Sequence, residues 1–321
     1  MASLNQHQRL TCFLGTGGVG KTTLASFYAL KLAKDFPDAR IKLVTIDPSN
    51  RLKSFFGIKE GESCIQMKNL FVELNDREAL LKGFVERVAK EKNISSDQIL
   101  KNKIFVSLME GLAVSQEFSS LYELERSYRS NDYDFIVLDT PPLQNTADFL
   151  KSAEGLNAFF SSALAKFFLS KDEQGFLYKV INSARRNALA VLSRLTGLDF
   201  VNEMAFFFKA VEQIRESLLE VIQESKSILS QKADVVVVGN ANELSLAGLK
   251  VALTNLSSSQ LKIKKCIINK YDKTLKNLSV EKRIENLKSS FPEKTYIILP
   301  KFDFEPSSRE DLMKLVDHVE F

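Results

Sequence analysis

Nine consecutive residues, Gly15-Thr16-Gly17-Gly18-Val19-Gly20-Lys21-Thr22-Thr23, follow the apolar run 10–14 and open a helical stretch at 24–34. The spacing is G-x-x-x-x-G-K-T in a strand, loop, helix context, which is that of a phosphate-binding loop. Glycine lets the backbone turn with positive φ, so that several N–H groups converge on one anion while the helix N-terminus adds its positive end. Gly17, Gly18, Val19, Gly20, Lys21, Thr22 and Thr23 are therefore candidate binding residues, with Lys21 reaching the β- and γ-phosphates and the Thr22 hydroxyl holding Mg²⁺.

Two carboxylates have the right place to join them. The run 41–46 reads as a buried strand ending at Asp47-Pro48, and the run 134–138 as another ending at Asp139, closed by Pro141-Pro142. In open parallel sheets ligands gather beyond the carboxyl ends of strands, so Lys21, Asp47 and Asp139 are expected at one edge. Asp139 has the pattern of a strand-end aspartate that holds Mg²⁺, usually through water. A further apolar run, 263–268, ends at Asn269-Lys270-Tyr271-Asp272, which also spells the N-K-x-D pattern of guanine readers.

The elements that must position these groups alternate between strand and helix patterns. Apolar runs at 70–74, 234–239 and 295–299 complete a set of strands, the last ending at Pro300, and the order is that of an α/β, doubly wound, mostly parallel P-loop sheet. Two stretches, about 77–130 and 147–232, lack strands and read as a helical subdomain inserted in a single domain of 1–321. Within it Phe159, Phe160, Ala163, Leu164, Phe167 and Phe168 form one apolar stripe, and Met204, Phe207, Phe208, Val211, Ile214 and Leu218 another. Such stripes either line a groove for an apolar helix or pack together as core.

Composition narrows the partners. The 44 basic and 40 acidic residues are interspersed and leave a net charge of +4, with no basic block of the kind that marks nucleic acid. No integral membrane segment is expected, since the most apolar stretch, 156–169, is broken by Asn157, Ser161, Ser162 and Lys166. Cys12, Cys64 and Cys266 lie far apart, so neither a disulfide framework nor a zinc pair is indicated, and a cytoplasmic location fits.

The loop, Asp47-Pro48-Ser49-Asn50, Ala113-Val114-Ser115-Gln116-Glu117, Asp139-Thr140-Pro141-Pro142 and Asn269 together resemble the ArsA family of deviant-Walker ATPases, in the wider MinD/ParA class. That family includes arsenite-pump ATPases and the guided-entry ATPases that carry tail-anchored membrane proteins. The resemblance implies ATP and Mg²⁺ as cofactors, Asp47 as the group that orients the attacking water, and adenine contacts from Asn269 and backbone near Pro300. It also decides for ATP over the guanine reading, which needs Asp272 to accept two hydrogen bonds from the base.

Three departures accompany the resemblance. The lysine that such ATPases place second in the loop is Thr16, Pro142-Leu143-Gln144-Asn145-Thr146 lacks the glycine and histidine of P-T-G-H-T, and no C-x-x-C or cysteine cluster is present. Arsenite transport is therefore not expected. Arg51, in the first switch, is the candidate to supply the positive charge that Thr16 lacks. The expected function is an ATPase whose nucleotide state moves the helical subdomain and its client or partner protein, such as an apolar helix of a membrane protein, with a homodimer as the oligomeric form. The alternative is a MinD/ParA-like positioning or regulatory switch, and a metabolic kinase on the same fold ranks last.

Overall fold

The computed structural model describes residues 9–45, 50–74, 77–102, 114–140, 198–258, 261–274 and 277–316. Eight strands form one sheet: β1 (Arg9–Gly15), β2 (Ile41–Thr45), β3 (Cys64–Met67), β4 (Leu70–Leu74), β5 (Phe135–Asp139), β6 (Ala233–Asn240), β7 (Ile263–Tyr271) and β8 (Thr295–Pro300). Their order is β3-β4-β2-β5-β1-β6-β7-β8, parallel throughout except for the antiparallel hairpin partner β3 at one edge. The described helices are α1 (Lys21–Asp35), α2 (Asn50–Phe56), α3 (Arg77–Lys92), α4 (Ser96–Lys101), α5 (Val114–Arg129), α6 (Leu198–Gln231), α7 (Glu243–Ser258), α8 (Leu278–Ser290) and α9 (Arg309–Val316).

The two-residue period of a strand decides which helix each side chain meets. Phe13, Leu43, Val137, Val236 and Ile267 face a core shared with α1, α2 and α9, where Leu24, Phe27, Phe55 and Leu312 are buried. Their neighbours in sequence turn the other way. Leu14, Val235, Val237, Cys266 and Ile268 pack with Leu246, Leu249 and Leu253 of α7 and Ile284 and Leu287 of α8. Leu10, Cys12, Val44, Ile136 and Leu138 pack with Leu124 of α5 and Ile228 of α6. Strands covered on both faces read as nearly unbroken apolar runs, which is why they are legible in the sequence. Burial pushes the thiols of Cys12 and Cys266 up to about 12, so both behave as small apolar core residues.

The chain divides into two compact units: Met1–Arg77, Ser119–Asp148 and Gln223–Phe321 form one, Glu78–Phe118 and Phe149–Ile222 the other. The first contains the whole sheet. In the second, Leu80, Phe84, Val85 and Val88 of α3 and Ile99 of α4 are buried, as are Phe207, Ile214 and Leu218 of α6. Asn102 Nδ2 donates to the Glu203 carbonyl at 3.1 Å and Lys92 pairs with Glu216 at 3.2 Å. Three members of the second Phe-rich stripe are thus interior; the stripe of Phe159, Phe160, Ala163, Leu164, Phe167 and Phe168 lies outside the described residues.

Candidate phosphate-binding site

β1 and α1 are joined by five residues, and that brevity forces the turn. The loop passes through the left-handed region at Gly18 (φ 74°) and Gly20 (φ 93°), conformations that a side chain strains. The first helical bond of α1 runs from the Leu24 N–H to the Gly20 carbonyl at 2.9 Å, so the N–H groups of Lys21, Thr22 and Thr23 precede it. Gly20 is the N-cap, among the described residues no side chain caps this end, and no acidic residue stands in the first turn. The end that the dipole makes positive is therefore left for an anion. Among the described residues, a Cβ added at Gly17 or Gly18 would meet nothing within 4 Å.

Lys21 is buried and folds back over its own loop, its Nζ donating to the Thr16 carbonyl at 3.2 Å. A lysine ammonium folded over the loop that leads into the N–H groups at the start of α1 has the charge and donor set for a polyphosphate.

Asp139 is the last residue of β5 and is 0 % exposed. It pairs in register with Phe13 of β1 on one side and with Thr45 of β2 on the other. The Thr45 hydroxyl donates to Asp139 Oδ2 at 3.1 Å, and the next residue, Thr140, donates from Oγ1 to the Phe13 carbonyl at 2.8 Å. These two bonds fix the carboxylate two residues before the start of the glycine loop. Thr45 ends β2 after Leu43 and Val44, and a hydroxyl at that strand-end position was the one signal for its role available in the sequence.

Asn269 is 8 % exposed at the far side of the loop, and its Nδ2 donates to the Val19 carbonyl at 2.9 Å. Pro300 ends β8 and pairs in register with Tyr271, whose carbonyl accepts from the Lys301 N–H at 2.9 Å. Asp272 Oδ1 accepts from both the Thr274 N–H (2.9 Å) and the Thr274 hydroxyl (2.6 Å), closing a local turn. Arg51 is exposed in the first turn of α2. Asp47 and the segment from Pro141 to Thr146 lie outside the described residues.

A charged cluster that apolar periodicity hides sits beneath this edge. Lys42 of β2 is buried, with Nζ 2.7 Å from Glu73 Oε2 of β4, 3.0 Å from Glu123 Oε1 of α5 and 2.9 Å from the Ser127 hydroxyl. Arg126 pairs with both Glu73 and Glu123, and Ser127 also donates to Glu123. Two cations meet two anions, so the buried charge is balanced. A lysine inside a run buried on both faces is the signal that a partner is required, because an unpaired one is rarely tolerated there.

A parallel sheet with a glycine loop between its central strand and the following helix, a lysine folded over that loop and an aspartate ending the neighbouring strand together define a P-loop nucleotide-binding protein. The chain belongs to the family described as anion-transporting ATPase (ArsA_ATPase), whose pattern matches residues 8–315. ATP hydrolysis is the chemistry of that family. The chain is 32 % identical over 157 residues to a protein of Aquifex aeolicus (strain VF5) named as an arsenical pump-driving ATPase, covering 47 % of this chain and 51 % of that one. It is 27 % identical over 259 residues to ATPase get3 of Aspergillus terreus, covering 79 % and 71 %. A protein of Chlorobaculum tepidum, also named as an arsenical pump-driving ATPase, is 24 % identical over 280 residues, covering 82 % and 61 %. Among the described residues no helix is long and apolar enough to cross a membrane.

Proposed function

We propose that this chain binds ATP at the loop and hydrolyses it by in-line attack of water on the γ-phosphate, so that nucleotide state changes the helical unit and its engagement of a partner protein. The observation that carries the proposal is the uncapped N-terminus of α1, with Lys21 folded over the loop that precedes it. Gly17 to Thr23 wrap the phosphates with backbone N–H groups and Lys21 offsets the charge of the β- and γ-phosphates. Thr22 and Asp139 fit a hard divalent cation, as an all-oxygen donor pair flanking the loop. Held by these two residues, a magnesium ion would supply neutralisation of phosphate charge. Asp47 holds the attacking water in line, Arg51 adds positive charge when the first switch closes, and Asn269 and Pro300 flank adenine.

The partner reading follows the relatives named as get3 and as arsenical pump-driving ATPases, and takes an apolar helix of a membrane protein as the client and a homodimer as the working form. Burial of Phe207, Ile214 and Leu218 supports a second reading, in which the helical unit is a closed core and the protein is a switch that recruits one soluble partner.

Steady-state phosphate release tests the proposal. Wild type releases phosphate only with Mg²⁺, and Asp47→Asn retains ATP binding while turnover falls by about 10² or more, the usual cost of losing a group that handles the water. Turnover by Asp47→Asn equal to wild type would remove the assigned mechanism. Hydrogen exchange over 77–102 and 198–222 that differs between apo and ATP-analogue samples supports nucleotide control of the helical unit; identical exchange contradicts it.

A further inference from the structure

We infer that Asn269 is a positioning residue of the phosphate loop, acting on the phosphates through the Val19–Gly20 peptide whatever it also gives to the base. The inference rests on the nucleotide-binding reading above. Both ends of the Asn269 amide are engaged: Nδ2 donates to the Val19 carbonyl at 2.9 Å, and Oδ1 accepts from the Lys270 N–H at 2.9 Å. Lys270 itself takes φ 59°, in the left-handed region, directly after the engaged amide. The amide therefore has one orientation, because the flipped one would set Oδ1 against a carbonyl oxygen and Nδ2 against an N–H.

This contact reaches the phosphate site through peptide geometry. In a trans peptide the C=O and the N–H point in opposite directions from one plane. Drawing the Val19 carbonyl toward β7 thus aims the Gly20 N–H to the other side of the loop, away from β7, one residue before Lys21. The loop is pressed against Asn269 as well as bonded to it: a Cβ at Gly20 would lie 2.7 Å from Asn269 Nδ2. Gly20 is held to glycine twice, by its φ of 93° and by the amide beside it. Asn269 itself is fixed by register, opposite Asn240 of β6.

Inorganic tripolyphosphate separates this role from base reading, since it carries the phosphates and no base. Calorimetric titration of ATP and of tripolyphosphate, each with Mg²⁺, is made on wild type, Asn269→Ala, Asn269→Asp, Gly20→Ala and the Gly20→Ala/Asn269→Ala double variant. Asn269→Ala weakens both ligands by a similar factor of about ten, the scale of one lost neutral hydrogen bond. Asn269→Asp keeps the shape and sets an oxygen against the Val19 carbonyl, so it weakens tripolyphosphate at least as much, and it serves if the alanine variant does not fold. The double variant loses less tripolyphosphate affinity than the product of the single losses, because removing the amide relieves the contact at Gly20. Tripolyphosphate affinity unchanged in both Asn269 variants, with ATP alone weakened, would overturn the inference and leave the nucleotide site intact. Wild type that binds neither ligand would overturn the parent reading and the inference with it.

Discussion

The Lys42 ammonium lies 3.0 Å from the Glu123 carboxylate, and neither side chain exposes more than 5 % of its surface. The pair joins β2 to α5 on the face where Val44 and Leu124 pack, so a charged contact occupies a place that an apolar one would otherwise fill. Removing Lys42 leaves two carboxylates, Glu73 and Glu123, sharing the one cation Arg126, and breaking a buried pair in this way costs about 3–5 kcal/mol. Lys42→Met is therefore expected to lose stability on that scale in urea unfolding. Lys42→Met with Glu123→Gln should lose clearly less, since no uncompensated charge then remains at that point.

Glu73 gives the same cluster a pH signature. Burial raises its pKa, but Lys42 and then Arg126 outweigh that effect and hold the carboxyl below its ordinary value. A carboxylate whose folded-state pKa is depressed contributes stability that is fully present above its unfolded value and lost as pH falls through the folded one. Wild-type stability should thus decline on acidification below about pH 4.5. Glu73→Gln should start lower at neutral pH and decline less steeply, which paired urea titrations at neutral and acidic pH would reveal.

Thr16 cannot reach across to a phosphate, having neither charge nor length, and a missing trans-acting cation costs P-loop enzymes about 10³ or more in rate. Arg51, exposed in the first turn of α2, is the residue proposed to compensate. Steady-state assays should find that Arg51→Ala lowers kcat far more than it raises KM, and that adding Thr16→Lys restores part of the loss. Unchanged turnover in Arg51→Ala would exclude that role and leave a slow ATPase.

Asp272 bears on the choice of base. Its Oδ1 closes a turn with Thr274, a use that competes with reading guanine. Asp272→Ala should loosen that turn while ATP affinity shifts by less than about threefold, below the cost of one typical hydrogen bond. Competition binding in which GTP outcompetes ATP on wild type, and loses that advantage in Asp272→Ala, would instead support the guanine reading.

Much of the sheet was legible because its strands are covered on both faces. Phe13 between Cys12 and Leu14, or Val236 between Val235 and Val237, must be apolar whichever way each points, so the runs stand out. β3 was not, since Cys64–Met67 is a four-residue edge strand alternating between exposed and half-buried positions. The phosphate loop was legible because backbone geometry and helix dipole confine it to one short segment of fixed spacing. Side-chain contacts were not: nothing in the spacing pairs Lys42 with Glu123, 81 residues away, or Asn269 with Val19, 250 residues away. Those partners are set by strand order, which places β2 next to β4 and β5, and β7 within reach of the loop after β1.

The phosphate-site assignment is tested most directly by calorimetric titration of ATP into wild type and Lys21→Ala, each with Mg²⁺ present. Lys21 is the cation that folds over the loop, so its removal leaves the phosphate charge poorly compensated. Wild type should bind ATP in a Mg²⁺-dependent manner, and Lys21→Ala, still folded by circular dichroism, should lose that binding. A folded Lys21→Ala protein that binds ATP as tightly as wild type would contradict the assignment.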